Sequence, residues 1–178
     1  GIKIKNLGSL KINNSQLFKK KNMKGKINCL VLPEGILDEC FKLFEFSLNC
    51  AKIMPKVNFI WRLHPSLNYK YVMSKMKFNT VLPKNILFSK HKKLEKDVKL
   101  CKFALYRGSS AIVSALSFGA YPIYLGQKNE MEIDPLYRLK FGNSKIYNPK
   151  EFKTLLNSFL NKTKSDHYKF QKKALIFS

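Results

Sequence analysis

From Lys26 onward the chain alternates short apolar runs with segments of helical period, and this alternation restricts the fold more than any other feature. Apolar runs bounded by turn residues suit strands buried on both faces. Strands that alternate with helices imply a parallel sheet covered on both sides. The spacing predicts strands at Ile27–Leu32, Val57–Leu63, Asn85–Ser89, Phe103–Tyr106, Tyr121–Leu125 and Lys145–Tyr147. Helices are predicted at Ile36–Met54, Asn68–Met76, Leu94–Leu100, Ser110–Phe118, Glu151–Leu160 and Lys164–Phe177. In the first of these, Leu37, Phe41, Phe44, Leu48 and Ala51 recur on one face, and Pro55 closes it. Gly119 is placed to end the helix before the fifth strand in a left-handed cap. The fold class expected is α/β, a Rossmann-like parallel sheet flanked by helices on both faces.

At 178 residues and 45% hydrophobic, the chain suits one domain with a substantial core. Residues 1–25 are polar and rich in Lys and Asn. They read as a linker or tail arriving from a missing N-terminal domain, with the α/β domain over 26–178. Gly1-Ile2-Lys3 shows neither an initiator Met nor a signal-peptide pattern, so the expectation is a piece of a longer protein. No apolar stretch reaches the roughly 20 residues that cross a bilayer as a helix. Cys29, Cys40, Cys50 and Cys101 form no CxxC pair and stand in apolar surroundings, which predicts buried, reduced thiols and a cytoplasmic protein rather than a zinc site.

The net charge of +23 invites a polyanion partner. Yet Arg62, Arg107 and Arg138 are the only arginines among 34 basic residues, whereas base-reading surfaces favour the bidentate Arg fork. The lysines are spread along the chain and accompany abundant Asn, Ile and Phe, the pattern of an AT-rich coding bias. Nucleic acid is therefore disfavoured as partner, and an anionic membrane surface remains compatible with the charge.

Two strings place polar groups where strands should end. Trp61-Arg62-Leu63-His64-Pro65 follows the second strand, and Tyr106-Arg107-Gly108-Ser109-Ser110-Ala111 follows the fourth. Ligands of open parallel sheets bind outside the carboxyl ends of the strands. Pro65 restricts His64 to extended geometry, and an imidazole there can donate to phosphate or simply cap a strand. Gly108 permits close backbone approach, while Ser109 and Ser110 offer hydroxyls. Either serine could instead be a plain helix cap. The string is neither a Walker loop nor a GxGxxG fingerprint, which disfavours ATPase and dehydrogenase chemistry. Glu34 and Gly35 occupy the first strand-to-helix turn, where the carboxylate either balances a helix dipole or faces base, ribose or sugar. Arg62 and Arg107 are possible ligand groups or ion-pair partners. Glu130, Glu132 and Asp134 could bind sugar or ribose hydroxyls but read better as a solvated acidic loop, and His91 and His167 read as exposed helical residues without a role.

The order Leu32-Pro33-Glu34-Gly35, Arg62-Leu63-His64-Pro65, Gly108-Ser109-Ser110-Ala111 and Ser114-Ala115-Leu116-Ser117-Phe118-Gly119-Ala120-Tyr121-Pro122-Ile123 resembles the C-terminal half of GT-B glycosyltransferases. The likeness runs over Lys26 to Leu160. It is nearest to bacterial surface-polysaccharide enzymes with HP and SS motifs, such as polysialyltransferases and CDP-glycerol glycerophosphotransferases. The resemblance implies a single GT-B half-domain that binds a CMP-, CDP- or UDP-linked donor without a required metal or cofactor. It implies phosphate and ribose contacts from His64, Gly108, Ser109, Ser110 and Ala111, with Arg62, Arg107, Glu34 and Gly35 as further candidates. The general base belongs to an N-terminal acceptor domain, so this portion alone is expected to be inactive. The implied setting is capsule or surface-polysaccharide synthesis in the cytoplasm, peripheral to the inner membrane. The rivals are a nucleotide-sugar epimerase of the same fold and a non-enzymatic basic domain that binds nucleic acid or anionic membrane.

Overall fold

A computed structural model describes residues 27–76, 81–137 and 144–160. The expected linker at 1–25, Arg138, the C-terminal helix at Lys164–Phe177 and His167 lie outside the described residues. Six strands, β1 (Ile27–Leu32), β2 (Val57–Trp61), β3 (Ile86–Phe88), β4 (Phe103–Tyr106), β5 (Tyr121–Leu125) and β6 (Ser144–Ile146), form one sheet in the order β3-β2-β1-β4-β5-β6. Every pairing is parallel. The chain runs outward from β1 to β3, returns to lay β4 beside β1, and then runs outward the other way. The β1–β4 boundary is thus the topological switch point, where open sheets form a crevice.

Helices α1 (Leu37–Ile53), α2 (Tyr69–Lys75), α3 (Leu94–Leu100), α4 (Ala111–Ser117) and α5 (Pro149–Leu160) connect the strands. Alternate strand residues feed two cores, one on each face of the sheet. Cys29, Val31, Phe59, Trp61, Phe103 and Leu105 pack with α1, α2 and α5. Leu30, Leu32, Ile60, Ala104 and Tyr106 pack with α3 and α4. Phe44 of α1 stacks on Trp61 with centroids 4.0 Å apart, and the indole donates to Ser47 Oγ at 2.8 Å. This buried contact sets α1 against the end of β2. All four cysteines are buried, and burial pushes the Cys40 thiol up to about 12.

Most boundaries fall within one residue of the expected ones, and the larger differences have visible reasons. β2 stops at Trp61, two residues early: Trp61 O still accepts from Ser89 N at 2.8 Å, but Leu63 N donates to the Tyr69 hydroxyl at 3.4 Å instead of to a neighbouring strand. α5 begins at Pro149 rather than Glu151: Asn148 and Glu151 cap one another, with Glu151 N to Asn148 Oδ1 at 3.0 Å and Asn148 Nδ2 to Glu151 Oε1 at 2.7 Å. His91 precedes α3 instead of lying in it. Gly119 takes φ 82° after α4, as its cap position requires. Among the described residues no helix is long and apolar enough to cross a membrane.

Candidate functional site

The strand ends lie level: Val31 pairs with Trp61, Leu32 with Tyr106, and Tyr106 with Tyr124. The segments that follow β1, β2, β4 and β5 therefore emerge at one edge. The turn after β1 is the keystone. On one side Gly35 lies against His64, so close that a Cβ there would stand 3.0 Å from Nδ1. On the other side the Glu34 carboxylate lies on Gly108, where a Cβ would meet its carboxyl carbon at 2.8 Å. Both glycines are needed for closeness rather than for a left-handed backbone. The His64 and Gly108 strings are thus gathered by one turn across the switch point. No hydrogen bond among the described residues joins His64 directly to Ser109 or Ser110.

His64 is exposed, and a tight turn determines what its ring can do. Leu67 N donates to His64 O at 2.9 Å, closing a turn with Pro65 at the position that favours proline. The Ser66 amide donates to His64 Nδ1 at 3.3 Å, and Ser66 Oγ lies 2.7 Å from the same nitrogen.

At the β4 end Ser109 is buried and Ser110 is exposed. Ser110 is the N-cap of α4, but its side chain makes no capping bond. Its hydroxyl is therefore not taken up by the helix. Ala111 opens α4, and the amides of Ile112 and Val113 are already bonded to Ser109 O and Ser110 O.

Both arginines are engaged in the scaffold. Arg62 bonds Asp97 Oδ2 at 2.5 Å, His91 O at 2.6 Å, Lys92 O at 2.7 Å and Ser89 Oγ at 3.2 Å. Asp97 is buried and also accepts from Ser89 and pairs with His91 Nδ1 at 2.7 Å. Arg107 is buried between Glu39 of α1 and Glu130 after β5, and donates to Leu125 O at 3.2 Å. Lys42 completes this network, 2.8 Å from Glu39 and 2.9 Å from Glu130. Of the two possibilities left open for these arginines, ion pairing is the one the structure displays. In the loop after β5, Glu130 and Glu132 are exposed, as expected of a solvated acidic loop, and Asp134 is not. Asp134 is buried and accepts from the Tyr106 hydroxyl and Leu136 N, both at 2.8 Å, and Glu132 pairs with Lys145.

Burial works against the ionised Glu39, but hydrogen bonds from Lys42 and Arg107 outweigh it and hold its carboxyl below the usual range. Glu34 has the opposite fate. Its Oε1 is buried with no hydrogen-bond partner. Burial, then the neighbouring Glu39, push its pKa up, against the Gly108 amide and the charges of Arg107 and Lys42.

Sequence reasoning missed Ser66, Tyr69, Glu39 and Asp97. Ser66 carried a local signal, since it directly follows His-Pro. Glu39 looked like a first-turn carboxylate, and Asp97 like one charge in a lysine-rich helix.

No protein-family model and no curated protein matches the sequence. Solved structures match its fold. The kitacinnamycin glycotransferase superposes with a TM-score of 0.57 at 9% identity, over 90% of this chain and 44% of its own. The glycosyltransferase SnogD from Streptomyces nogalater gives 0.57 at 12% identity, over 84% and 40%. The UDP-GlcNAc 2-epimerase of Methanocaldococcus jannaschii, solved with UDP-GlcNAc and UDP, gives 0.52 at 16%, over 78% and 40%. The domain has the half-domain fold of GT-B glycosyltransferases, and the chain spans less than half the length of these proteins.

Proposed function

We propose that this domain holds the nucleotide-activated donor of a glycosyltransferase, or polyol-phosphate transferase, of surface-polysaccharide synthesis. The donor phosphate lies against His64 and the Gly108-Ser109-Ser110-Ala111 turn. The observation that carries this reading is the Glu34-Gly35 turn, which packs on His64 and on Gly108 and so joins both motifs at the switch point. Two glycosyltransferases share the fold.

The chemistry assigned to the domain is electrostatic. As the bond to the sugar or polyol breaks, charge grows on the departing phosphate, and preorganised donors lower its energy. His64 and the Ser110 hydroxyl supply them, without a metal ion in this reading. Arg62 and Arg107 hold the strand ends in place. The general base and acceptor site belong to an N-terminal acceptor domain, and the whole enzyme works on the cytoplasmic side, peripheral to an anionic membrane. An epimerase acting on a nucleotide sugar is the second reading, favoured by the likeness to the UDP-GlcNAc 2-epimerase. Turnover of a nucleotide sugar without any acceptor separates it from transfer.

Titration calorimetry with UDP, CDP and CMP tests the donor site. A lost hydrogen bond to a charged group costs about 1.5–3 kcal/mol, so His64→Ala or Ser110→Ala weakens binding roughly tenfold or more. Replacing Lys19, Lys20 and Lys21 together by Gln changes it little at about 0.15 M salt, where exposed charges are screened beyond about 8 Å. Unchanged affinity in His64→Ala with a large loss in the lysine variant would replace the donor site by diffuse polyanion binding.

A further inference from the structure

We propose that Ser66 and Gly35 are positioning residues that hold His64 in its Nε2–H tautomer and so fix the ring as a hydrogen-bond donor toward an anionic oxygen. The proposal deepens the phosphate-binding reading above and rests on it for the identity of the acceptor.

The geometry comes from the sequence His64-Pro65-Ser66-Leu67. Pro65 presets the turn, and Leu67 N to His64 O closes it at 2.9 Å. This brings the Ser66 amide under the His64 ring, 3.3 Å from Nδ1. Asn and Asp side chains commonly accept from the amide two residues on, and His64 makes the same contact with a ring nitrogen. A backbone N–H can only donate, so Nδ1 must accept. In the neutral ring the hydrogen then sits on Nε2. In that tautomer Ser66 Oγ, 2.7 Å from Nδ1, is the donor of the second contact to the same nitrogen.

Gly35 forms the wall. An added Cβ would fall 2.9 Å from Ser66 Oγ and 3.0 Å from Nδ1, inside the space that the Ser66–His64 contact needs. Those atoms end mobile side chains, so a methyl group there displaces the contact without breaking the fold. The opposite tautomer would put a hydrogen on Nδ1 facing the Ser66 amide and leave Nε2 a bare acceptor, which repels a phosphate oxygen. Orientation and tautomer are therefore set by the same two residues, in the manner that outer-shell groups set histidines in other sites.

Long-range 1H–15N correlation spectra of the full chain, taken at about pH 8.5 where histidine is neutral, read the tautomer directly. His64→Gln identifies the resonance among the three histidines. The wild type shows the Nε2–H pattern, Ser66→Ala and Gly35→Ala shift it toward a mixture, and Ser66→Thr retains it. In parallel, UDP affinity falls roughly threefold to tenfold in Ser66→Ala and Gly35→Ala and returns in Ser66→Thr, as expected for one weakened hydrogen bond. An Nδ1–H pattern in the wild type, or a tautomer indifferent to Ser66→Ala, overturns the proposal. The tautomer needs no ligand. An intact Nε2–H pattern with UDP binding indifferent to His64→Ala removes the donor-site reading, and with it the assigned acceptor, while the positioning stands.

Discussion

The rim of the site and the belt behind it are built by opposite rules. On the rim, His64 and Ser110 are exposed, Ser110 makes no capping bond, and Glu34 keeps a buried oxygen without a partner. In the belt every formal charge is matched: Arg62 with Asp97, and Arg107 and Lys42 with Glu39 and Glu130. The belt uses the arginines to tie strand ends to neighbouring helices and loops. The rim leaves hydrogen-bonding capacity at the mouth of the sheet. Rim substitutions should therefore act on binding, and belt substitutions on folding.

The sharpest way to break this contrast is at Asp97. Its side chain is 1% exposed and receives Arg62, Ser89 and His91 at once. Asp97→Ala leaves a half-buried guanidinium without its carboxylate, and losing one partner of a buried pair costs about 3–5 kcal/mol. Against a typical stability of about 5–15 kcal/mol, that is a large share. Urea unfolding checks it, with His64→Ala as the rim control, which should stay within about 0.5 kcal/mol of wild type. A smaller loss in Asp97→Ala than in His64→Ala would erase the distinction between belt and rim.

Most of the fold was legible because parallel strands buried on both faces must be continuous apolar runs. Ile27–Leu32, Phe103–Tyr106 and Tyr121–Leu125 fall where the runs do. Gly119 and the prolines mark helix ends through local backbone chemistry, which a sequence carries openly. The end of β4, which carries the Gly108-Ser109-Ser110 string, was legible for the same reason. The belt was not, because its pairs are distant in sequence: Arg62 to Asp97 spans 35 positions, Arg107 to Glu39 spans 68 and Arg107 to Glu130 spans 23. Nothing local distinguishes a surface carboxylate from one that the sheet edge will bring to a buried arginine. The end of β2 was misplaced similarly, since the hydroxyl that receives Leu63 N there comes from Tyr69 in the next helix.

Glu39 provides the next test. Its folded pKa lies below the ordinary value because Lys42 and Arg107 outweigh its burial. Its contribution to stability is then fully present above the unfolded carboxyl value of about 4.3 and is lost as pH falls through the depressed folded value. Glu39→Gln should cost about 1.5–3 kcal/mol at pH 7, the range for a lost hydrogen bond to a charged group. Its unfolding curve should converge on the wild type in acid. Equal destabilisation at both pH extremes would mean that packing, and not charge, holds α1 to the end of β4.

Glu34 should give the smallest effect, and one of opposite sign. It lies five positions from Glu39 at the same sheet edge, yet its oxygen is buried unpartnered and its pKa is raised, first by burial and then by Glu39. A carboxylate with a raised folded value lowers stability when ionised. That penalty is full above the raised value and relieved as pH falls through it toward the unfolded one. Glu34→Gln removes the charge while keeping the shape against Gly108, so it should leave stability unchanged or raise it by about 1 kcal/mol at pH 7. The gain should shrink toward about pH 3, well below the unfolded value of about 4.3, where the wild-type carboxyl is protonated in both states. Paired denaturation curves at the two pH values measure this difference with the remaining groups cancelled. A loss of stability in Glu34→Gln at pH 7 would place Glu34 in the belt as a brace between the β1 turn and Gly108. A gain confined to neutral pH keeps it on the rim, where an ionised carboxylate is tolerated at a cost that the fold itself does not need to bear.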